Sequence, residues 1–207
     1  KLFVPLYSAN EIAHSDYIHF VTLEAEENEE HLEKHEADLS GIDMKFDFKI
    51  DPSTEIQLIF DATSGEKLTA QGGGRIKTII NEEKDFEMYG VYEIRNGDYF
   101  FNFENIISKK FTLQQGGLIS FNGDPLKANM DVIAQYKVKA GLQEILGDSA
   151  YSQKVDNLCL MHLTDQLSEP NLGFDIKVLN VDADIESRVK SQMPTQEDVN
   201  KQVFSLM

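Results

Sequence analysis

The sequence predicts a predominantly β protein, on three observations. Thirteen Phe and seven Tyr, with no Trp, are spread along the chain rather than clustered. From Gly41 to Ile50, Ile42, Met44, Phe46, Phe48 and Ile50 alternate with Asp43, Lys45, Asp47 and Lys49. A period of two places one row of side chains against apolar surroundings and the other in water. Strict strand–helix–strand alternation is absent, which argues against a parallel doubly wound sheet. Periodicity alone does not choose among a closed barrel, a sandwich and an open folded sheet.

Taken in order, the elements repeat this device. Ile56, Leu58 and Phe60 continue it after the turn-like Asp51-Pro52-Ser53, and the short link predicts that the two segments pair as a hairpin. Leu68 to Ile79 reads as a strand that Gly72, Gly73 and Gly74 would bend or bulge. Phe86, Met88, Gly90, Tyr92 and Ile94 share a parity and run into Asn96-Gly97, the strongest short hairpin signal. Tyr99, Phe101 and Phe103 follow, then Phe111 and Leu113, a break at Gly116-Gly117, and Ile119 with Phe121 before the turn Asn122-Gly123-Asp124-Pro125. Met130, Val132, Ala134, Tyr136 and Val138 form a further strand, with others expected over Val155–Leu163 and Gly173–Val178. Strands of about 8–10 residues, spanning roughly 30 Å, are expected throughout.

Two regions depart from the pattern. Glu24 to Asp38 is too rich in Glu and His for a core strand and reads as an exposed loop or short solvated helix. Ile185 to Met193 has helical spacing. After Pro194, Thr195 is placed as an N-cap with Asp198 in the capping-box position, and Val199, Val203 and Leu206 fall on one helical face. The expected organisation is one β domain over 1–183, with 24–38 as an acidic insertion, and a helical segment over 184–207. A chain that opens on Lys1 and stops at Met207 with an apolar face unfinished is expected to be a piece of a longer protein.

Composition excludes several functions. With 36 acidic against 19 basic side chains the net charge is −17, and without clustered Lys and Arg there is no footprint for nucleic acid. The single Cys159 excludes an internal disulfide framework and any multi-thiolate metal site. No apolar run approaches a membrane span, and no signal peptide is expected.

The segment from Tyr92 to Val138 carries more than alternation. It contains Gly97-Asp98-Tyr99, then Phe111-Thr-Leu-Gln-Gln-Gly-Gly-Leu-Ile-Ser-Phe-Asn-Gly-Asp-Pro125, then Ala134-Gln135-Tyr136. Further on, Leu163-Thr-Asp-Gln-Leu-Ser-Glu-Pro170-Asn-Leu-Gly-Phe174 repeats a second pattern, with Asp165 where glycine is usual. In these turns and parities the chain resembles the C-terminal domain of the TamB (translocation and assembly module) family. The likeness is densest from residue 86 to 176. The opening Val4-Pro5-Leu6 and the Glu-rich insertion resemble the Bacteroidota version of the family.

That resemblance implies a sheet folded lengthwise into an open trough, the β-taco of AsmA-like and bridge-like lipid-transfer proteins, with an apolar interior and short C-terminal helices. It implies a periplasmic segment of an inner-membrane-anchored protein reaching the outer membrane. There it would work with an outer-membrane barrel of the TamA-like insertase superfamily. The implied activity is passive phospholipid transport, outer-membrane protein biogenesis, or both.

An acyl-chain guest would need a continuous apolar floor, since each exposed CH₂ costs about 0.8 kcal/mol in water. The expected lining is Ile42, Met44, Phe46, Phe48, Ile56, Leu58, Phe60, Phe86, Met88, Tyr92, Tyr99, Phe101, Phe103, Phe111, Leu113, Ile119, Phe121, Met130, Val132 and Tyr136. An arginine at Phe101 is expected to block such a floor without unfolding the sheet. Such faces are ordinarily the core of a sandwich or barrel, so a structural β-sandwich stays open. So does an assembly chaperone or docking module that adds a strand from a client or barrel. His31 and His35 have metal-ligand spacing, but a third ligand is not evident and a solvated acidic loop accounts for them. No Gly-x-Ser-x-Gly elbow or phosphate loop appears. No enzyme activity, cofactor or metal is expected.

Overall fold

The computed structural model describes residues 2–5, 43–61, 63–80, 86–103 and 106–207. Ile42, the 24–38 segment and both His31 and His35 lie outside the described residues. Among the described residues nine strands form one sheet: β1 (Leu2–Pro5), β2 (Met44–Asp61), β3 (Glu66–Ile80), β4 (Phe86–Phe103), β5 (Ile107–Leu113), β6 (Leu118–Gly123), β7 (Asn129–Ala140), β8 (Val155–Gln166) and β9 (Asn171–Val178). The order is β1-β2-β3-β4-β5-β7-β8-β9, with β6 beside β4 and β7. Only β1 runs parallel to its neighbour; all other pairings are antiparallel. Strands β5 and β6 lie end to end along β4, Phe111 facing Tyr99 and Ile119 facing Tyr92.

Strands β2 and β4 are much longer than expected, at 18 residues each, because two expected hairpins are bulges; β3, at 15 residues, is the single strand expected over Leu68–Ile79, slightly extended. Asp51-Pro52-Ser53 does not fold β2 back on itself. Both halves of β2 pair with β3, Ile50 facing Gly74 and Thr54 facing Gly72. The Asp51 carboxylate accepts the Ser53 N–H at 2.9 Å, which tightens the excursion. Asn96-Gly97 likewise sits inside β4. There Gln71 faces Asn96 while Gly72 faces Ile94, so Arg95 is the extra residue. A turn dipeptide gives a hairpin only when its flanks find each other. Here both flanks of each dipeptide bond to β3, and a bulge results.

These irregularities line up. The bulge of β2, Gly72–Gly74 of β3, Arg95 of β4 and Gln114–Gly117 between β5 and β6 form one transverse crease. Ile94 stitches it, its N–H donating to Gly117 O at 2.7 Å and its carbonyl accepting from Gly116 N–H at 2.8 Å. At Gly74 a Cβ would lie 1.9 Å from Val91 O, and at Gly72 2.1 Å from Glu93 O, so β3 passes β4 at a distance only glycine permits. The extra residue in β4 inverts its sequence parity while preserving the face. Phe86, Met88, Tyr92 and Ile94 therefore stand on the same side as Tyr99, Phe101 and Phe103.

The sheet curls. Phe101 on β4 and Phe174 on β9 are four strand positions apart, about 19 Å in a flat sheet, yet their ring centroids are 6.1 Å apart. The concave side holds the core, which joins Leu58, Leu68, Tyr92, Phe111, Ile119, Val132, Met161 and Leu163. After β7 comes the short α1 (Gln143–Leu146), and beyond β9, α2 (Ala183–Ser191) and α3 (Gln196–Leu206) pack at one end. Val189 of α2 packs with Leu142, Ile145 and Val178 in a second small cluster. Thr195 caps α3, and with Asp198 it forms the reciprocal box that the spacing predicts. Asp165 adopts φ 70, the left-handed conformation that explains glycine in the family pattern; aspartate is among the few residues that tolerate it.

Candidate functional site

All described residues of the expected lining stand on the concave face, in two environments. In the curled part, Ile56, Leu58, Met88, Tyr92, Tyr99, Phe101, Phe111, Leu113, Ile119, Met130 and Val132 are buried against one another, with Phe60, Phe121 and Tyr136 packed at their margin. Beyond the crease the face is buried at Tyr92, Ile119, Ile76, Thr78 and Met88 and exposed at its far margin. Phe46, Phe48 and Phe86 keep 41%, 50% and 48% of their surface exposed, and Met44 is partly exposed. Phe103, at the opposite end of β4, is also exposed.

Strand stagger causes this division. The first residue of β7, Asn129, faces Ser120 of β6, which faces Val91 of β4. Strands β8 and β9 begin and end at the same level. The strand pairs of the facing wall stop at this level; Ala128 and Leu167, hydrogen-bonded to each other just beyond them, are buried in the same core as Met88 and Ile76, so the overhang consists of Phe46, Phe48 and Phe86. No opposing strand covers that overhang among the described residues. Phe46 and Phe48 stack on each other instead, centroids 5.8 Å apart.

Sequence reasoning missed a third of the face. Cys159, Met161, Leu163, Phe174 and Ile176 are buried there, from strands that were expected but not assigned to the lining. Their shared parities carried the signal. Leu68, Ala70 and Ile76 of β3 also belong, their alternation obscured by the three glycines.

Polar groups on the face are individually accounted for. The Tyr92 hydroxyl donates to Thr54 O at 2.9 Å, and burial raises its pKa to about 12. The Tyr99 hydroxyl donates to the Glu66 carboxylate. Burial pushes the Glu66 carboxyl above its ordinary value, the Tyr99 bond opposes this, and the charge of Asp61 adds to it. Lys109 places its ammonium 5.6 Å above the Tyr136 ring, a cation–π contact. Asn157 donates to Ala140 O and Val155 O, at 3.2 and 3.1 Å, and its Oδ1 has no partner among the described residues. Cys159 is buried in apolar surroundings that lift its thiol to about 11, so it stays a protonated hydrophobe. A polar cavity of about 140 Å³, lined by Gln114–Gly117, Asp131 and Ile133, lies off this face. It is smaller than the roughly 300 Å³ at which organic-ligand pockets begin.

A single, almost wholly antiparallel sheet with an apolar inner face and short helices packed at one end defines a mainly β domain. The chain matches the TamB C-terminal domain over residues 2–207 and belongs to that family. No curated protein matches it in sequence. Membership gives it a TamB-like role in outer-membrane assembly, an envelope location and an outer-membrane partner in the assembly module. Among the described residues no helix is long and apolar enough to cross a membrane.

Proposed function

We propose that the concave face is a segment of a passive path for phospholipid acyl chains toward the outer membrane, in the periplasmic part of an inner-membrane-anchored protein. It acts with a TamA-like outer-membrane barrel, and no catalytic step is involved. The observation that carries this reading is the overhang. The same apolar parity that packs the core continues past the crease to the solvent-exposed Phe46, Phe48 and Phe86. Three exposed phenylalanines on one side of a sheet are a costly surface for a folded domain to maintain without a guest or neighbour.

The test is a photoreactive phenylalanine at Phe48, compared with one at Val91 on the convex face. Lipid adducts at Phe48 and none at Val91, read by mass spectrometry of protein taken from cells, are expected. Adducts at neither position would remove the reading.

A second reading, strand addition by a barrel subunit or client, is favoured by one edge. Strand β1 covers β2 only at Ile56–Ile59, leaving Met44–Ile50 without an outer neighbour among the described residues. At the other edge, β9, Phe174 O is taken by Gln196 Nε2 and the Ile176 N–H by Asp175. A proline that removes an outward N–H from Met44–Ile50 should abolish capture of an outer-membrane barrel, whereas Phe48→Arg should not.

A further inference from the structure

The closed end of the face is occupied by the chain's own C-terminal helix, and the way it is held suggests what it stands in for. Helix α3 enters the slot between β4 and β9. Its Phe204 ring stacks on Phe103 at 5.2 Å and meets Phe174 edge-on at 5.4 Å. Val203 is fully buried, and Leu206 and Met207 pack at the margin of the same cluster. The opposite face of the helix, with Glu197, Lys201 and Ser205, is in water. Its polar tie to the sheet is the Gln196 side-chain amide, donating to Phe174 O at 2.8 Å. Eleven residues are too few for a helix to persist alone in water, so α3 stays helical because the aromatic slot receives it. Even so, the slot is incompletely filled, since Phe103 keeps 41% of its surface exposed under Phe204.

We propose that α3 is a displaceable stopper: Phe101, Phe103 and Phe174 form an acyl-chain subsite that Phe204 and Val203 occupy in the guest's absence. This rests on the acyl-path reading and adds that the path is shut at this end until a guest competes the helix away. The aliphatic and aromatic side chains of α3 offer the slot the same chemistry as a lipid tail. A short amphipathic helix hinged after Met193 and Pro194 can leave without breaking a strand pairing. Occupancy by helix and by guest is then mutually exclusive, and anything that loosens α3 must tighten apparent lipid binding.

The test uses the 207-residue chain and a dansyl-labelled undecanoic acid as probe. Phe204→Ala should bind the probe several-fold more tightly than the wild type, with an unchanged β-type circular dichroism spectrum. In the double variant Phe103→Cys with Phe204→Cys, bridging the thiols with dibromobimane should weaken binding about tenfold or more relative to the same protein unbridged. Cys159, buried and protonated, does not compete for the reagent. Equal binding by bridged and unbridged protein, or unaltered binding by Phe204→Ala, would overturn the stopper while leaving the acyl path intact. Failure of every form to bind the probe would remove the acyl path and the stopper with it.

Discussion

The Tyr92 hydroxyl reaches across β3 to the carbonyl of Thr54 on β2, at 2.9 Å, with Ala70 O as a second acceptor at 3.3 Å. Its ring lies over Gly72, whose Cβ would come within 3.0 Å of Cε1. One tyrosine on β4 thus ties three strands together where all of them are irregular. It fills the space left by a missing side chain and donates to a carbonyl beside the bulge at Asp51–Ser53.

Removing that hydroxyl should be costly for its size. Tyr92→Phe keeps the ring over Gly72 but leaves the buried carbonyl unpaired, a loss of about 1–3 kcal/mol. Urea unfolding should show a lower midpoint with an unchanged slope. A neutral result would mean that the Thr54 carbonyl is satisfied by water and that the crease does not depend on Tyr92.

Glycine should be required at Gly74 in the crease and dispensable at Gly173 in β9. Gly74→Ala puts a methyl carbon 1.9 Å from Val91 O, whereas at Gly173 the nearest neighbour is His162 Cβ at 3.8 Å. The first change is expected to cost about 3 kcal/mol or more, and the second to stay within about 1 kcal/mol. Thermal denaturation of the two variants, side by side, measures the difference.

Glu66 gives the protein an acid-side stability contribution. Its carboxyl titrates above the ordinary 4.5 because burial disfavours the charge. The folded state therefore holds this proton more tightly than the unfolded chain does. Stability from this group is fully present below the unfolded value and is lost as pH rises through the folded one. Glu66→Gln keeps an acceptor for Tyr99 and removes the titration. Relative to that variant, the wild type should lose urea resistance as pH rises from below the ordinary 4.5 through the raised folded value. A constant difference between the two across that range would show that Glu66 is not shifted.

Charge introduced on the concave face should have opposite consequences on the two sides of the crease. Phe101 is 2% exposed, with its ring against Tyr99, Phe111 and Phe174. Phe101→Arg would bury an unpaired cation at a cost of several kcal/mol, a large part of a domain's stability. Contrary to the expectation from sequence, it should unfold the protein, which makes Phe101 the wrong place to test transport. Phe48→Arg, half exposed on the overhang, should cost about 1 kcal/mol or less. In the full-length protein it should impair lipid delivery with the fold intact. Circular dichroism distinguishes the two variants before any transport measurement.

Side-chain parity was legible in the sequence, because a strand's alternation depends only on its own residues. Met44, Phe46 and Phe48, Ile56 and Leu58, and Tyr99, Phe101 and Phe103 could be placed on one face without knowing their neighbours. The cap of α3 was legible for the same reason: Thr195 and Asp198 are three residues apart and satisfy each other locally. What Asp51-Pro52-Ser53 and Asn96-Gly97 would become was not legible. A turn and a bulge use the same residues, and only β3, lying alongside both, makes them bulges. Nor could the sequence divide its apolar face into buried and bare parts. Phe48 and Phe101 have the same chemistry and alternation; Phe101 is covered because β9 and α3 arrive from more than seventy residues away, and Phe48 is bare because the strand pairs of the facing wall stop short of it. Local periodicity sets which way a side chain points, and long-range register sets what it meets there.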